Sequence, residues 1–202
     1  MPRINAHEEA RKKIIAGALE VAAEKGWDAV TLEAIAQNVG VSKPALYSYF
    51  DNREALLRAI ILEVAENIHD GLETILTQSD DIHLIIRNLA ELLFEQQKPY
   101  ASIFFLLPSR PSPDPKHPEE FVHLFDNSRM LLRDCLVRLK SKRELPPRVD
   151  PDAANYMIIA MTMGMITSSR FLEMDNNTVK KIWIEAMERY LLLGYGETEE
   201  PV

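Results

Sequence analysis

One short stretch of this chain concentrates polar side chains at a spacing suited to gripping a polyanion. Ser42, Lys43, Pro44, Ala45, Tyr47, Ser48, Tyr49 and Arg53 bring hydroxyls, phenols and cations close together. They come without a Ser-His-Asp pattern or a glycine-rich phosphate loop, so they suit recognition better than catalysis. Tyr47, Tyr49 and Arg53 are candidates to hold phosphates. Ser42, Lys43, Pro44, Ala45 and Ser48 are candidates to face base edges or a thymine methyl group. Lys43 favours guanine as its partner.

These side chains need a rigid mount, and the flanking residues predict one. A helix is expected over Leu32–Val39, with Thr31 as its N-cap and a further candidate contact. Gly40 takes the left-handed conformation that ends it. Ser42 caps a second helix, expected over Ser42–Phe50, whose first turn tolerates Pro44. Ile35, Ala36 and Val39 line one face of the first helix, and Leu46 and Phe50, four apart, meet it. Val41 plugs the turn, and Ala45 is small enough to allow close approach. Such a helix-turn-helix places its second helix in the major groove of DNA.

This block resembles the DNA-binding domain of the TetR family of bacterial transcriptional regulators. The resemblance rests on Thr31, Ile35-Ala36, Gly40-Val41-Ser42, Leu46-Tyr47, Phe50 and Arg53-Glu54-Ala55-Leu56. It is specific over residues 8–60. Beyond them it extends only to chain length and an all-helical layout. Two positions depart from the family pattern. Arg53 stands where a lysine is frequent, and keeps the charge. Glu33 stands where a basic or polar residue is frequent, and is left out of the candidate site because a carboxylate repels phosphate.

Charge distribution agrees with a two-part chain. The net charge is −8, yet residues 1–60 hold eight Lys/Arg and eight Asp/Glu. The remaining 15 basic and 23 acidic residues lie in 61–202, which is expected to face away from DNA. Arg11-Lys12-Lys13 read as ordinary surface charge, whereas Lys43 and Arg53 lie inside the motif. At 202 residues, with 47% hydrophobic and 27% charged, the chain can bury a sizeable core. The start, MPRINAHEEARKK, has no apolar signal region, and the apolar run 157–166 is shorter than the ~20 residues a bilayer needs. A cytoplasmic protein is expected. The single cysteine, Cys135, excludes an intrachain disulfide and a multi-Cys metal site. His117 and His123 lack a partnering carboxylate pattern, so neither a metal nor a cofactor is expected.

The fold class expected is all-α, with about nine helices. Residues 1–52 form the helix-turn-helix head and 53–202 a helical ligand-binding and dimerisation domain. The helices are expected at about 6–25, 32–39, 42–50, 51–76, 81–97, 100–107, 119–142, 151–173 and 178–193. Asn5 with Glu8, and Asp51 with Glu54, have capping-box spacing. Residues 108–118 hold five prolines and read as a loop, either a lid over a pocket or a connector. Helix 151–173 is apolar almost all round, so it is expected to be buried on all sides. Ala160, Gly164 and Ser168 give it a small-residue stripe. With helix 178–193 it is the expected homodimer interface, doubling into a four-helix bundle.

The family resemblance also implies a small-molecule pocket inside the C-terminal helices. The candidate lining is Phe94, Tyr100, Phe104, Phe105, Phe121, Phe125, Tyr156, Met157 and Met161, a set suited to an apolar or aromatic effector. His123, Asn155 and Thr162 are candidate polar contacts. The function expected is a ligand-responsive transcriptional regulator, a repressor that leaves a palindromic operator when its effector binds. The competing expectation is a helical small-molecule carrier or enzyme with a non-DNA-binding head. An activator with the same head looks identical in sequence.

Overall fold

The computed structural model describes residues 6–26, 29–96 and 119–193. Within them lie eight α-helices and no strand. They are α1 (Ala6–Lys25), α2 (Leu32–Val39), α3 (Lys43–Tyr47), α4 (Arg53–Gln78), α5 (Ile82–Glu91), α6 (Glu119–Ser141), α7 (Pro151–Phe171) and α8 (Asn176–Glu188). Two π-helical turns, Leu92–Gln96 and Arg189–Leu193, extend α5 and α8. The helix expected at 100–107 and the proline-rich loop 108–118 lie outside the described residues. So does Asn5. No helix among the described residues is long and apolar enough to cross a membrane.

Side-chain caps set most of the starts. Asp81 accepts from His83 and Leu84 N–H at 2.9 and 3.1 Å, and Asp150 accepts from Ala153 N–H at 2.8 Å. Two expected starts shift. α4 is capped by Asn52, whose Oδ1 accepts from Ala55 N–H at 2.8 Å, not by Asp51. Asn and Asp are about equally good caps, so adjacent candidates are decided by packing downstream. α8 begins at Asn176, not Thr178, because Asp175 accepts from the N–H groups of Asn177 and Thr178 at 2.9 and 3.2 Å. The expected turn at 175–177 is therefore a cap and the first helical turn. α7 stops two residues early. Met174 N–H reaches back to Ser169 O at 2.9 Å, with Glu173 in the left-handed region at φ 49°. That is a helix stop built without glycine, which leaves no compositional signal.

The described residues fall into two compact units, 6–26, 29–67 and 119–124 in the first and 68–96 and 125–193 in the second. In the first, Ile14, Ile15, Ala18 and Leu19 of α1 are buried with Leu32, Ile35 and Ala36 of α2, Leu46 of α3, and Leu56 and Ile60 of α4. α1 and α2 approach closely at Gly17, where an added Cβ would sit 2.2 Å from Val39 Cγ1. Asn38 fastens the same crossing, donating to Gly17 O at 3.2 Å and to Glu20 Oε2 at 2.9 Å.

The second unit has its own core, built from Leu76, Ile85, Ile86, Leu89, Leu136, Leu139, Val179, Trp183 and Met187. Trp183 is its largest fully buried side chain. It packs on Phe94 with ring centroids 5.8 Å apart and donates from Nε1 to Thr162 Oγ1 at 2.9 Å. Within the single chain α7 is not buried on all sides. Ala154, Asn155, Ile158 and Thr162 face inward, while Tyr156 (72% exposed), Met157 and Met163 face outward with Ala160 and Gly164.

Candidate nucleic-acid interface

The turn between α2 and α3 is fixed by three local devices. Thr31 Oγ1 accepts from Ala34 N–H at 3.1 Å and starts α2. Gly40, at φ 71° and ψ 34°, ends it, and Val41 N–H returns to Ala36 O at 3.0 Å. Ser42 Oγ accepts from Ala45 N–H at 3.2 Å and starts α3. Two of the candidate contacts, Thr31 and Ser42, thus have their side-chain oxygens engaged in capping, although both residues are exposed.

α3 is shorter than the expected helix. Its regular part ends at Tyr47, and Ser48 Oγ donates back to Ala45 O at 2.6 Å. Such back-bonding competes with the helical ladder. Helical bonding still carries the chain to Phe50, through Tyr49 N–H and Phe50 N–H to Leu46 O at 3.0 and 3.2 Å. Leu46 and Phe50 are buried, which aims the rest of α3 outward: Lys43, Pro44, Tyr47 and Ser48 are exposed, and Ala45 and Tyr49 are half-buried. Val39 and Val41 are also only half-buried.

Other candidate contacts have internal partners too. Tyr49 stacks on His7 of α1 with centroids 4.7 Å apart and planes tilted by 35°. Arg53 is exposed, yet its Nε donates to Val30 O at 3.1 Å. That bond orients the guanidinium and leaves its remaining donors for another acceptor. Arg11 lies over the Phe50 ring at 5.3 Å, a cation–π contact that gives it a packing role.

Lys43 does not stand alone. Its ammonium is hydrogen-bonded to the carboxylate of Glu33, in the first turn of α2. That bond holds the Glu33 carboxyl below its usual range, and the same bond raises the Lys43 pKa. Both side chains remain open, at 63% and 47% exposed. Sequence reasoning set Glu33 aside as a phosphate repellent and missed that it lies beside Lys43. The available signal was opposite charge at the starts of the two helices of the motif.

Against this geometry, residues 14–60 match the model of bacterial regulatory proteins, tetR family. Over those residues the chain is similar to the tetR family. The match runs from inside α1 to inside α4. Part of the chain is also similar to curated regulators. The transcriptional activator FasR of Mycolicibacterium smegmatis is 30% identical over 88 residues, covering 44% of this chain and 40% of that protein. The negative regulator IcaR of the Staphylococcus epidermidis biofilm operon is 30% identical over 105 residues, covering 50% of this chain and 55% of that protein. The chain thus spans about half the length of these relatives. In fold it resembles the fatty acid degradation regulator FadR of Bacillus halodurans, with a TM-score of 0.68 at 22% identity over 88% of this chain and 93% of that one. The likeness in fold extends over most of the chain, well beyond residues 14–60.

The effector lining expected from sequence is only partly gathered. Tyr100, Phe104, Phe105 and the side chain of Phe121 lie outside the described residues. Phe94 is buried against Trp183, and Met161 packs half-buried on the same core. Phe125, Tyr156 and Met157 are exposed. The core near Phe94 leaves a void of about 10 Å³ among Ile86, Leu136, Ile158, Trp183 and Met187, room for a water at most. Thr162, expected to offer a polar contact, has its hydroxyl engaged: it donates to Ile158 O at 2.7 Å and accepts from Trp183. Asn155 is buried, and its Oδ1 has no hydrogen-bond partner among the described residues. Cys135 is buried, which pushes its thiol pKa up and makes it unreactive.

Proposed function

We propose that this protein is a DNA-binding transcriptional regulator, a repressor that a small apolar or aromatic effector releases from its operator. The observation that carries the reading is the α2–α3 unit. Gly40 and Ser42 cap its turn, Leu46 and Phe50 anchor it, and Lys43, Pro44, Tyr47 and Ser48 point outward. Residues 1–52 then serve as the head and 53–202 as the effector and dimerisation domain. Tyr47, Tyr49 and Arg53 hold phosphates, and the start of α3 faces base edges. The reading is of a cytoplasmic regulator, not an enzyme.

One head makes too few contacts for specificity, and a homodimer reading two half-sites ~34–36 Å apart supplies more. The outward face of α7, with Tyr156, Met157, Ala160, Met163 and Gly164, and Ile182 on α8 support that pairing. Apolar side chains around a small-residue stripe suit close helix packing across a two-fold axis. The buried Asn155 Oδ1, with no hydrogen-bond partner among the described residues, supports an effector that brings a hydrogen-bond donor. Effector binding shifts α4, which runs unbroken from Arg53 to Gln78, and so changes the spacing of the two heads. Release requires that the effector bind the shifted state more tightly than the operator-bound one.

The test is fluorescence anisotropy with DNA from upstream of the protein's own gene, for wild type and the Tyr47→Ala/Lys43→Ala double variant. Tight, salt-sensitive binding by wild type that the double variant loses is the expected result. Equal binding by the two proteins would remove α3 from the interface.

A further inference from the structure

Glu33 is a poor phosphate ligand, yet it sits at the edge of the candidate interface, tied to Lys43 at the start of α3. The first residues of a recognition helix are the ones that reach base edges. The pair therefore presents a donor and an acceptor side by side, one hydrogen-bond length apart, where bases are read. Both side chains are exposed, so neither must leave a buried position to meet DNA.

A base pair offers the complementary arrangement. In the major groove, guanine O6 accepts and the N4 amino group of its cytosine donates, and these two groups are themselves hydrogen-bonded neighbours. We propose that Glu33 and Lys43 act as one reader of a G·C pair, with Lys43 donating to guanine O6 and N7 while Glu33 accepts from cytosine N4. The Lys43–Glu33 bond persists in the complex and closes a ring of four hydrogen-bonding groups. An A·T pair fits poorly. Its donor, adenine N6, lies beside the N7 acceptor, which repels the carboxylate. Its acceptor, thymine O4, lies beside the C5-methyl group, which crowds the ammonium. A reversed C·G pair puts N7 on the carboxylate side and is rejected for the same reason.

A second consequence follows from charge. On DNA that lacks the matching pair, Lys43 stays bonded to Glu33, so the two are neutral together and offer phosphate no free cation. The pair thus withholds a charge from non-specific binding, which depends on cations meeting phosphates. Glu33 becomes a specificity-determining residue that a basic side chain cannot replace.

This inference rests on the DNA-binding reading, and one experiment separates their failures. The full-length protein, as wild type and Glu33→Ala, selects from a library of randomised duplexes, and enriched sequences are counted. Wild type is expected to enrich a G·C pair at a fixed position of each half-site. Glu33→Ala is expected to lose that preference by about ten-fold, to keep the remaining positions, and to bind random DNA more tightly. An unchanged melting temperature will show that the exposed substitution leaves the fold intact. If wild type enriches no sequence, the DNA-binding reading itself falls. If wild type enriches a motif and Glu33→Ala enriches the same motif with the same strength, the paired reader is overturned. A variant that binds all DNA more tightly with its base preference intact overturns it too.

Discussion

The head and the second unit are both helical, yet they are built on different logic. The helix starts and the turn of the head are set by short-range devices. Thr31 and Ser42 cap within three residues of themselves, Gly40 turns the chain, and Asn52 starts α4 in the same way. The second unit has caps of the same kind at Asp81, Asp150 and Asp175, and is tied together by contacts between residues far apart in sequence. Trp183 meets Phe94 and Thr162. Arg138 of α6 donates to Asp80 at 3.0 Å and to the Leu76 and Ser79 carbonyls at the end of α4. On the proposed reading, the local devices hold the surface that meets DNA, and the long-range packing holds the unit that meets the effector.

Substitutions can sharpen or break that contrast. The largest effect is expected from Trp183→Ala, which removes the centre of the second core and leaves Thr162 without its donor. Chemical denaturation should show a loss of about 3–5 kcal/mol. The next is Gly17→Ala in the head. Its new Cβ collides with Val39, and overpacking of this kind costs ~1–3 kcal/mol. Thermal melting followed by circular dichroism would read it. Gly40→Ala should cost about 1 kcal/mol, since it forces a side chain into the left-handed region at φ 71°.

Gly164→Ala on α7 is the inverse case. Nothing lies within 4 Å of the added Cβ, so the fold of the single chain should gain ~0.5–1 kcal/mol from helix propensity. If the outward face of α7 forms the dimer, the same methyl obstructs close approach. Sedimentation velocity should then show a shift toward monomer. A variant that is more stable and no less dimeric would move the interface elsewhere.

The smallest effect concerns acid. Asp80 is held below its ordinary pKa first by its bond from Lys142 and then by Arg138, and Asp152 by its bond from Arg133. A carboxyl depressed in the folded state adds stability that is fully present above its unfolded pKa. That contribution is lost as pH falls through the ordinary value near 3.8 and on through the depressed one. Asp80→Asn should therefore flatten the acid limb of stability against pH and leave DNA affinity at neutral pH unchanged. Because these carboxylates are exposed, the flattening should be modest.

The same contrast explains what the sequence made legible. The α2–turn–α3 unit was readable because capping and glycine stops act over three or four residues and leave a direct signature. The choice of Asn52 over Asp51, and of Asn176 as the start of α8, was not, since adjacent good caps are separated only by packing. The π turn after Glu91 and the left-handed Glu173 carry no compositional mark. Gly17 was passed over because a glycine inside a helix shows its purpose only when Val39 is seen against it. Tyr156 and Met157 have the aromatic and Met character of a pocket lining, yet both are exposed on α7. Glu33 was judged by its charge alone, and only the fold brings Lys43 to it.

The most direct test of the account is to let the purified full-length protein select sheared genomic fragments from its own source organism and to sequence what it retains. The account predicts enrichment of a few loci sharing an inverted repeat. Its half-sites should be centred about one helical turn apart, and retention should collapse for the Tyr47→Ala/Lys43→Ala protein. Retention of fragments in proportion to their abundance, with no shared motif and no difference between the two proteins, would contradict it.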